Sequence, residues 1–76
     1  MRRFTTFCID NETGMRMIYA CCGYNEACFQ LEHENRNGAF GKLKDVSKEG
    51  KLDKIEYEKA TFFFDEERGC LLKEVD

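Results

Sequence analysis

Residues 3–22 read RFTTFCIDNETGMRMIYACC, two runs of aromatic, β-branched and apolar residues around a polar centre. Arg3 to Ile9 and Met15 to Cys22 have the composition of strands, and Asp10-Asn11-Glu12-Thr13-Gly14 between them is turn chemistry, so the stretch predicts an antiparallel hairpin. Gly23-Tyr24-Asn25 breaks the pattern. Asn25 suits the N-cap of a helix with Glu26 in its first turn, where a carboxylate meets the positive end of the helix dipole. Ala27, Cys28 and Leu31 share a face by their three- and four-residue spacing, while Gln30 and Glu34 point elsewhere. The helix is expected to run to about Arg36 and to stop at Asn37-Gly38.

Beyond the helix, Phe40, Leu43 and Val46 stand among lysines and predict a strand that ends in the turn Ser47-Lys48-Glu49-Gly50. Residues 53–60 allow two readings. Ile55, Tyr57 and Thr61 alternate with Glu56, Glu58 and Ala60 as in one long strand, whereas Asp53 followed by Glu56 resembles the capping box of a short helix; the strand fits better. Thr61 to Phe64, the turn Asp65-Glu66-Glu67-Arg68-Gly69 and Cys70 to Val75 form a closing hairpin. The expected fold is α+β, in the order ββαβββ, with a small mixed or antiparallel sheet and one helix. With no proline, no Ser/Gly-rich tract and no internal repeat to mark a linker, residues 1–76 are expected to form one domain.

Composition narrows the class. A chain of 76 residues builds only a small core, but 42% hydrophobic content with seven Phe is too apolar for intrinsic disorder, even with 36% charged residues. No stretch approaches the roughly 20 consecutive apolar residues of a membrane span, and Met1-Arg2-Arg3-Phe4-Thr5-Thr6 turns polar before a signal segment develops. A cytoplasmic protein without a membrane partner is therefore expected. Five cysteines, Cys8, Cys21, Cys22, Cys28 and Cys70, are an odd number without a secretion signal, which favours reduced, mostly buried thiols over a disulfide framework.

The strands are apolar on both sides. A sheet covered by one helix should alternate apolar and polar residues along each strand. Yet Met15, Met17, Tyr19 and Cys21 oppose Ile18, Ala20 and Cys22, and Phe62 and Phe64 oppose Phe63. A helix presenting Ala27, Cys28 and Leu31 cannot cover both faces. Either the sheet hides its second face within the chain, or a second copy or another protein covers it, because contiguous apolar patches of several hundred Å² are unusual on monomers. The second alternative makes the chain a protein-binding module or a homodimer. Tyr19, Tyr57 and Phe63 are then the expected interface anchors, gathered on one sheet face, since aromatic side chains dominate interface energetics.

Chemical constellations are sparse. Cys21, Cys22, Cys28 and His33 fall within thirteen residues, but no Cys-x-x-Cys pair exists, and Cys28 and His33 lie about 140° apart on a helix. Cys22, Cys28 and His33 would be the least unsuitable zinc ligands, and no cofactor is expected. A Cys–His nucleophile would have only His33 as base and no elbow or oxyanion turn, so a small thiol enzyme ranks third among functions, and no enzyme activity is expected. Glu56 and Glu58, two apart on a strand, would project about 6.6 Å apart from one face, on the scale of backbone phosphates, so an acidic rim that mimics nucleic acid is one mode of protein binding. The competing function is nucleic-acid binding through Lys42, Lys44, Lys48, Lys51 and Lys54 beside Phe40, although Asp45, Glu49 and Asp53 interrupt that row and the net charge is −3.

In length and charge, a short acidic α+β chain without an enzyme motif resembles phage-encoded inhibitors of host defence, including anti-CRISPR proteins. That resemblance implies a non-enzymatic inhibitor of a host protein and assigns no site residues.

Overall fold

In the computed structural model, residues 13–20 and 23–74 are described throughout and residues 4–9 through their backbone. The elements are β1 (Phe4–Ile9), β2 (Arg16–Ala20), α1 (Tyr24–Glu34), β3 (Leu43–Glu49), β4 (Leu52–Tyr57), β5 (Thr61–Asp65) and β6 (Cys70–Lys73). The class is α+β, and every strand pair is antiparallel. The order is ββαββββ rather than ββαβββ. The run that reads as one strand from Ile55 to Thr61 is broken after Tyr57, where the Tyr57 amide bonds the Ala60 carbonyl at 2.8 Å and turns the chain back.

The strands lie in the order β1-β2-β6-β5-β4-β3. After the first hairpin, α1 carries the chain over one face of the sheet to its far edge, and β3 to β6 return as a meander that ends beside β2. The β3–β4 turn shows why glycine is needed. Glu49 pairs with Leu52, leaving Gly50 and Lys51 as a two-residue connection, and Gly50 has φ +62°. A positive φ at the first of two loop residues matches the twist of the flanking strands and is costly for any residue with a Cβ. Ser47, Lys48 and Glu49, expected in the turn, are therefore strand.

Helix α1 starts at Tyr24, one residue before the expected cap, with Gly23 in the N-cap position and Asn25 inside the first turn. It ends at Glu34, slightly before Arg36, because Asn35 is used as a clamp. The Asn35 Nδ2 donates to the Gly41 carbonyl at 2.9 Å, and its Oδ1 accepts from the Phe40 amide at 2.7 Å. This closes the 35–41 loop and turns Phe40 inward against Tyr57 and Phe62, with ring centroids 5.6 and 4.9 Å away. Phe40 is thus a core residue of the loop rather than the start of a strand.

Under the helix, Ala27 and Leu31 pack on Ile55, Tyr57, Phe62, Phe64 and Leu71. On the other face, Phe63, Cys70 and Leu72 pack with Met15, Met17 and Leu52. This second cluster is already enclosed within one chain: Phe63 is 7% and Leu72 0% exposed. The expectation that this face waits for a second copy or another protein is overturned, because the apolar area has already left water. The cause is long-range. β6 inserts between β2 and β5, so Leu72 is flanked by Met17 on one side and Phe63 on the other.

Asp65 ends β5 and organises the last turn. Its Oδ1 accepts from the Glu67 and Arg68 amides at 3.0 and 3.2 Å, and its Oδ2 accepts from the Arg68 Nε at 2.8 Å. Burial pushes this carboxyl up, but the Arg68 guanidinium and the two amides outweigh it and hold it below the ordinary carboxylate value. A depressed folded pKa gives stability that is complete above the unfolded Asp value of about 4 and is lost as pH falls through the folded value. Asp65→Asn is therefore expected to cost about 1–2 kcal/mol at neutral pH and less in acid, measured as urea midpoints across that range. An equal deficit at both ends would show that the charge does not matter.

Candidate binding surface

The lysine-rich segment is neutralised by its own neighbours. Lys44 lies 3.7 Å from Glu56, Lys51 3.9 Å from Glu67 and Lys54 4.0 Å from Glu56, while Lys48 reaches Asp53 at 3.1 Å and Glu66 at 3.3 Å. Four of the five candidate lysines thus face carboxylates, and only Lys42 has no ion pair of this kind among the described residues. Such exposed pairs add little stability, but they cancel the local positive potential on which phosphate binding depends. Phe40, the aromatic residue beside them, is partly buried, with its ring packed against Tyr57 and Phe62 of the helix-side core.

The expected protein-interface residues are not brought together. Tyr19 and Tyr57 belong to the helix-side cluster, whereas Phe63 belongs to the opposite one. Tyr57 is buried, and that burial, with the field of Glu32, pushes its hydroxyl pKa up. The acidic row is also absent as a row. Glu56 sits between Lys44 and Lys54, and Glu58 lies past the end of β4, where its Oε1 accepts from the Lys42 amide at 3.0 Å. Glu58 is held there by Gly41, at φ +79°, where an added Cβ would come within 2.8 Å of the Glu58 Cβ. These two carboxylates serve the fold, and they do not present the phosphate-like spacing.

Two other surfaces stand out. The first is the edge strand β3, exposed along all seven residues. Its register pairs Leu43 with Tyr57, Val46 with Ile55 and Lys48 with Asp53, so these three lie on the helix side of the sheet. Helix α1 does not reach them: Leu43 is 54% and Val46 47% exposed. β3 terminates the sheet, so one backbone edge has no strand neighbour among the described residues.

The second surface is a cleft of about 340 Å³ between the start of α1 and the β4–β5 strands, lined by Gly23, Tyr24, Asp53, Phe64 and Glu66. Asp53 is only 9% exposed, although it lies on the same strand face as Ile55 and Tyr57. Lys48 serves its Oδ1, but its Oδ2 is fully enclosed and has no hydrogen-bond partner among the described residues. The Tyr24 and Phe64 rings meet edge to face beside it, with centroids 5.8 Å apart. Burial, the hydrogen bond with Cys28, and the negative charges nearby push the Tyr24 hydroxyl up to about 12. Lys48, in turn, is raised by its hydrogen bonds to Asp53 and Glu66. The sequence signal for this site was the parity of Asp53, Ile55 and Tyr57, which puts a carboxylate on a buried row. The likeness of Asp53 and Glu56 to a capping box obscured it.

Of the cysteines, Cys28 is half-buried under the helix-side cluster and Cys70 is buried, both as free thiols. The side chains of Cys8, Cys21 and Cys22 lie outside the described residues, and so does the proposed Cys22 ligand. Among the described residues, no group of three or more His, Cys, Asp and Glu is arranged to hold a metal ion. No helix among them is long and apolar enough to cross a membrane. No family model, curated protein or solved structure matches this chain.

Proposed function

We propose that this chain is a small non-enzymatic protein-binding module that engages a different protein along β3, in the manner of an inhibitor or adaptor. One observation carries this reading: a complete strand with an open backbone edge bears Leu43 and Val46 exposed on the side that the helix leaves uncovered. Addition of a partner's strand to such an edge gives affinity through main-chain hydrogen bonds and specificity through alternate side chains.

The charges on β3 select against a second copy. Two-fold antiparallel pairing centred on Val46 sets Lys44 opposite Lys48 twice, pairing centred on Ser47 sets Asp45 opposite Glu49 twice, and pairing centred on Asp45 opposes that residue to itself. Like charges directly opposite are destabilising, and charged edge residues are a common defence against self-association. A partner of different sequence meets no such conflict. The ion pairs of Lys44, Lys48, Lys51 and Lys54 weigh against the nucleic-acid alternative.

A photo-crosslinking residue at Val46, and in a second variant at His33 on the exposed helix surface, tests this in cells of the native host. The expected result is an adduct of one defined mass at position 46 and none at position 33. No adduct at 46, the same adducts at both positions, or an adduct of twice the chain mass would overturn the proposal.

A further inference from the structure

We propose that the partner segment docking on β3 is an extended strand with two basic side chains four positions apart, set opposite Asp45 and Glu49. The proposal rests on the reading of β3 as a docking edge and names the chemistry of what that edge takes. Charge complementarity carries it. Of the four charged residues on β3, Lys44 and Lys48 are met by Glu56, Asp53 and Glu66 of this chain, whereas Asp45 and Glu49 have no ion pair among the described residues. Both charges left open on the edge are therefore negative, and they share a face. Asp45 pairs with Glu56, Ser47 with Lys54 and Glu49 with Leu52. Leu52 packs in the cluster opposite the helix, so Asp45, Ser47 and Glu49 form one row on that side. Lys54, on the same side of the neighbouring strand, is held toward Glu56 at 4.0 Å.

The register fixes which partner positions meet these charges. Glu49 and Leu52 flank a two-residue loop, and residues that close such a loop exchange both backbone hydrogen bonds. Hydrogen-bonded pairs alternate along the ladder, so Val46 and Lys48 aim their N–H and C=O groups away from β4, toward the open edge. An antiparallel partner strand bonds to those two residues and meets Asp45, Ser47 and Glu49 at the intervening positions. There facing side chains stand closest, with Cα atoms about 4.5 Å apart. Read along the partner, the pattern is a basic residue, two polar residues, an apolar residue opposite Val46 and a second basic residue. Asp45 and Glu49 lie about 13 Å apart along the strand, too far for one cation to bridge. Residues four apart on a helix rise only about 6 Å, so an extended segment matches the spacing and a helical one does not. Opposite charges directly across a ladder favour the pairing, and two such pairs select this register over a slipped one.

The test is a nitrogen-15 chemical-shift titration of the intact chain with the acetylated and amidated peptide Thr-Arg-Thr-Thr-Val-Arg-Thr. A control of the same composition and charge, Thr-Arg-Thr-Val-Arg-Thr-Thr, sets the arginines three apart and so on opposite faces of a strand. A second control replaces both arginines of the first peptide by glutamine. The first peptide should cause saturable shifts along residues 44–49. It should bind about threefold more tightly than the first control and about tenfold more tightly than the second, as one and two exposed ion pairs are lost. Asp45→Asn and Glu49→Gln, both at exposed positions, should each weaken its binding about threefold and leave the glutamine peptide unaffected. Equal affinity for the three peptides, absence of saturable shifts on β3, or binding untouched by both substitutions would overturn the basic partner strand. Such a failure beside an intact adduct at position 46 would leave β3 as a docking edge for a strand of other chemistry, whereas absence of the adduct would overturn the docking reading and this inference with it.

Discussion

Phe63→Ala is expected to lower stability by about 3–5 kcal/mol, the range for deleting a buried phenyl ring. A chain of this size has roughly 4–11 kcal/mol to lose, so the variant should be partly unfolded at 37 °C. Phe63 lies on the face without the helix, where it pairs with Lys54 on β4 and Leu72 on β6 and packs against Cys70. Had this face been an interface for a partner, the ring would be largely exposed in the free chain and its removal nearly neutral. Urea unfolding followed by circular dichroism distinguishes the two outcomes. A midpoint within error of the parent chain would return Phe63 to the interface.

The same residue shows how far the chain could be read without coordinates. Both terminal hairpins were legible because their apolar runs are separated by turn residues, and the helix was placed to within two residues at either end. These are local signals. Burial of Phe63 is not local, since it depends on β6 entering between β2 and β5, a pairing of β2 and β6 residues fifty or more positions apart. No periodicity within one strand records that contact. Counting apolar residues found that both faces of the strands are apolar, but it favoured a partner as the cover of the second face, which the chain covers itself.

Charge pairing was hidden for a related reason. Lys48 looks like one member of a basic row in sequence, and only the β3–β4 register, with Lys48 opposite Asp53, pairs it with a carboxylate. Glu56 and Glu58 suffer the reverse change. Two residues apart on a strand they would share a face, but the strand stops between them, and Glu58 is drawn to the Lys42 amide. In each case one hydrogen bond or one register position decided between a functional row and a structural pair.

Phe62→Ala should cost as much as Phe63→Ala, about 3–5 kcal/mol, although the two neighbours point to opposite faces. Phe62 is buried under α1, and its ring meets Phe40 at 4.9 Å and Tyr57 at 6.0 Å. Each such aromatic pair adds about 0.5–1.5 kcal/mol beyond its buried area. The consequence should reach beyond β5. Phe40 belongs to the loop that Asn35 clamps, so losing its ring partner should loosen residues 35–41 before the sheet, and amide exchange at Phe40 and Gly41 should accelerate more than at Leu71. Phe62→Leu, which keeps most of the volume, should cost less than about 1.5 kcal/mol and leave the loop protected. If the leucine variant loosened the loop as much as alanine, the aromatic contact with Phe40, rather than the filling of the core, would be what holds α1 to the meander. Near-equal costs at Phe62 and Phe63 would mean that this single chain builds two cores, one on each side of one sheet.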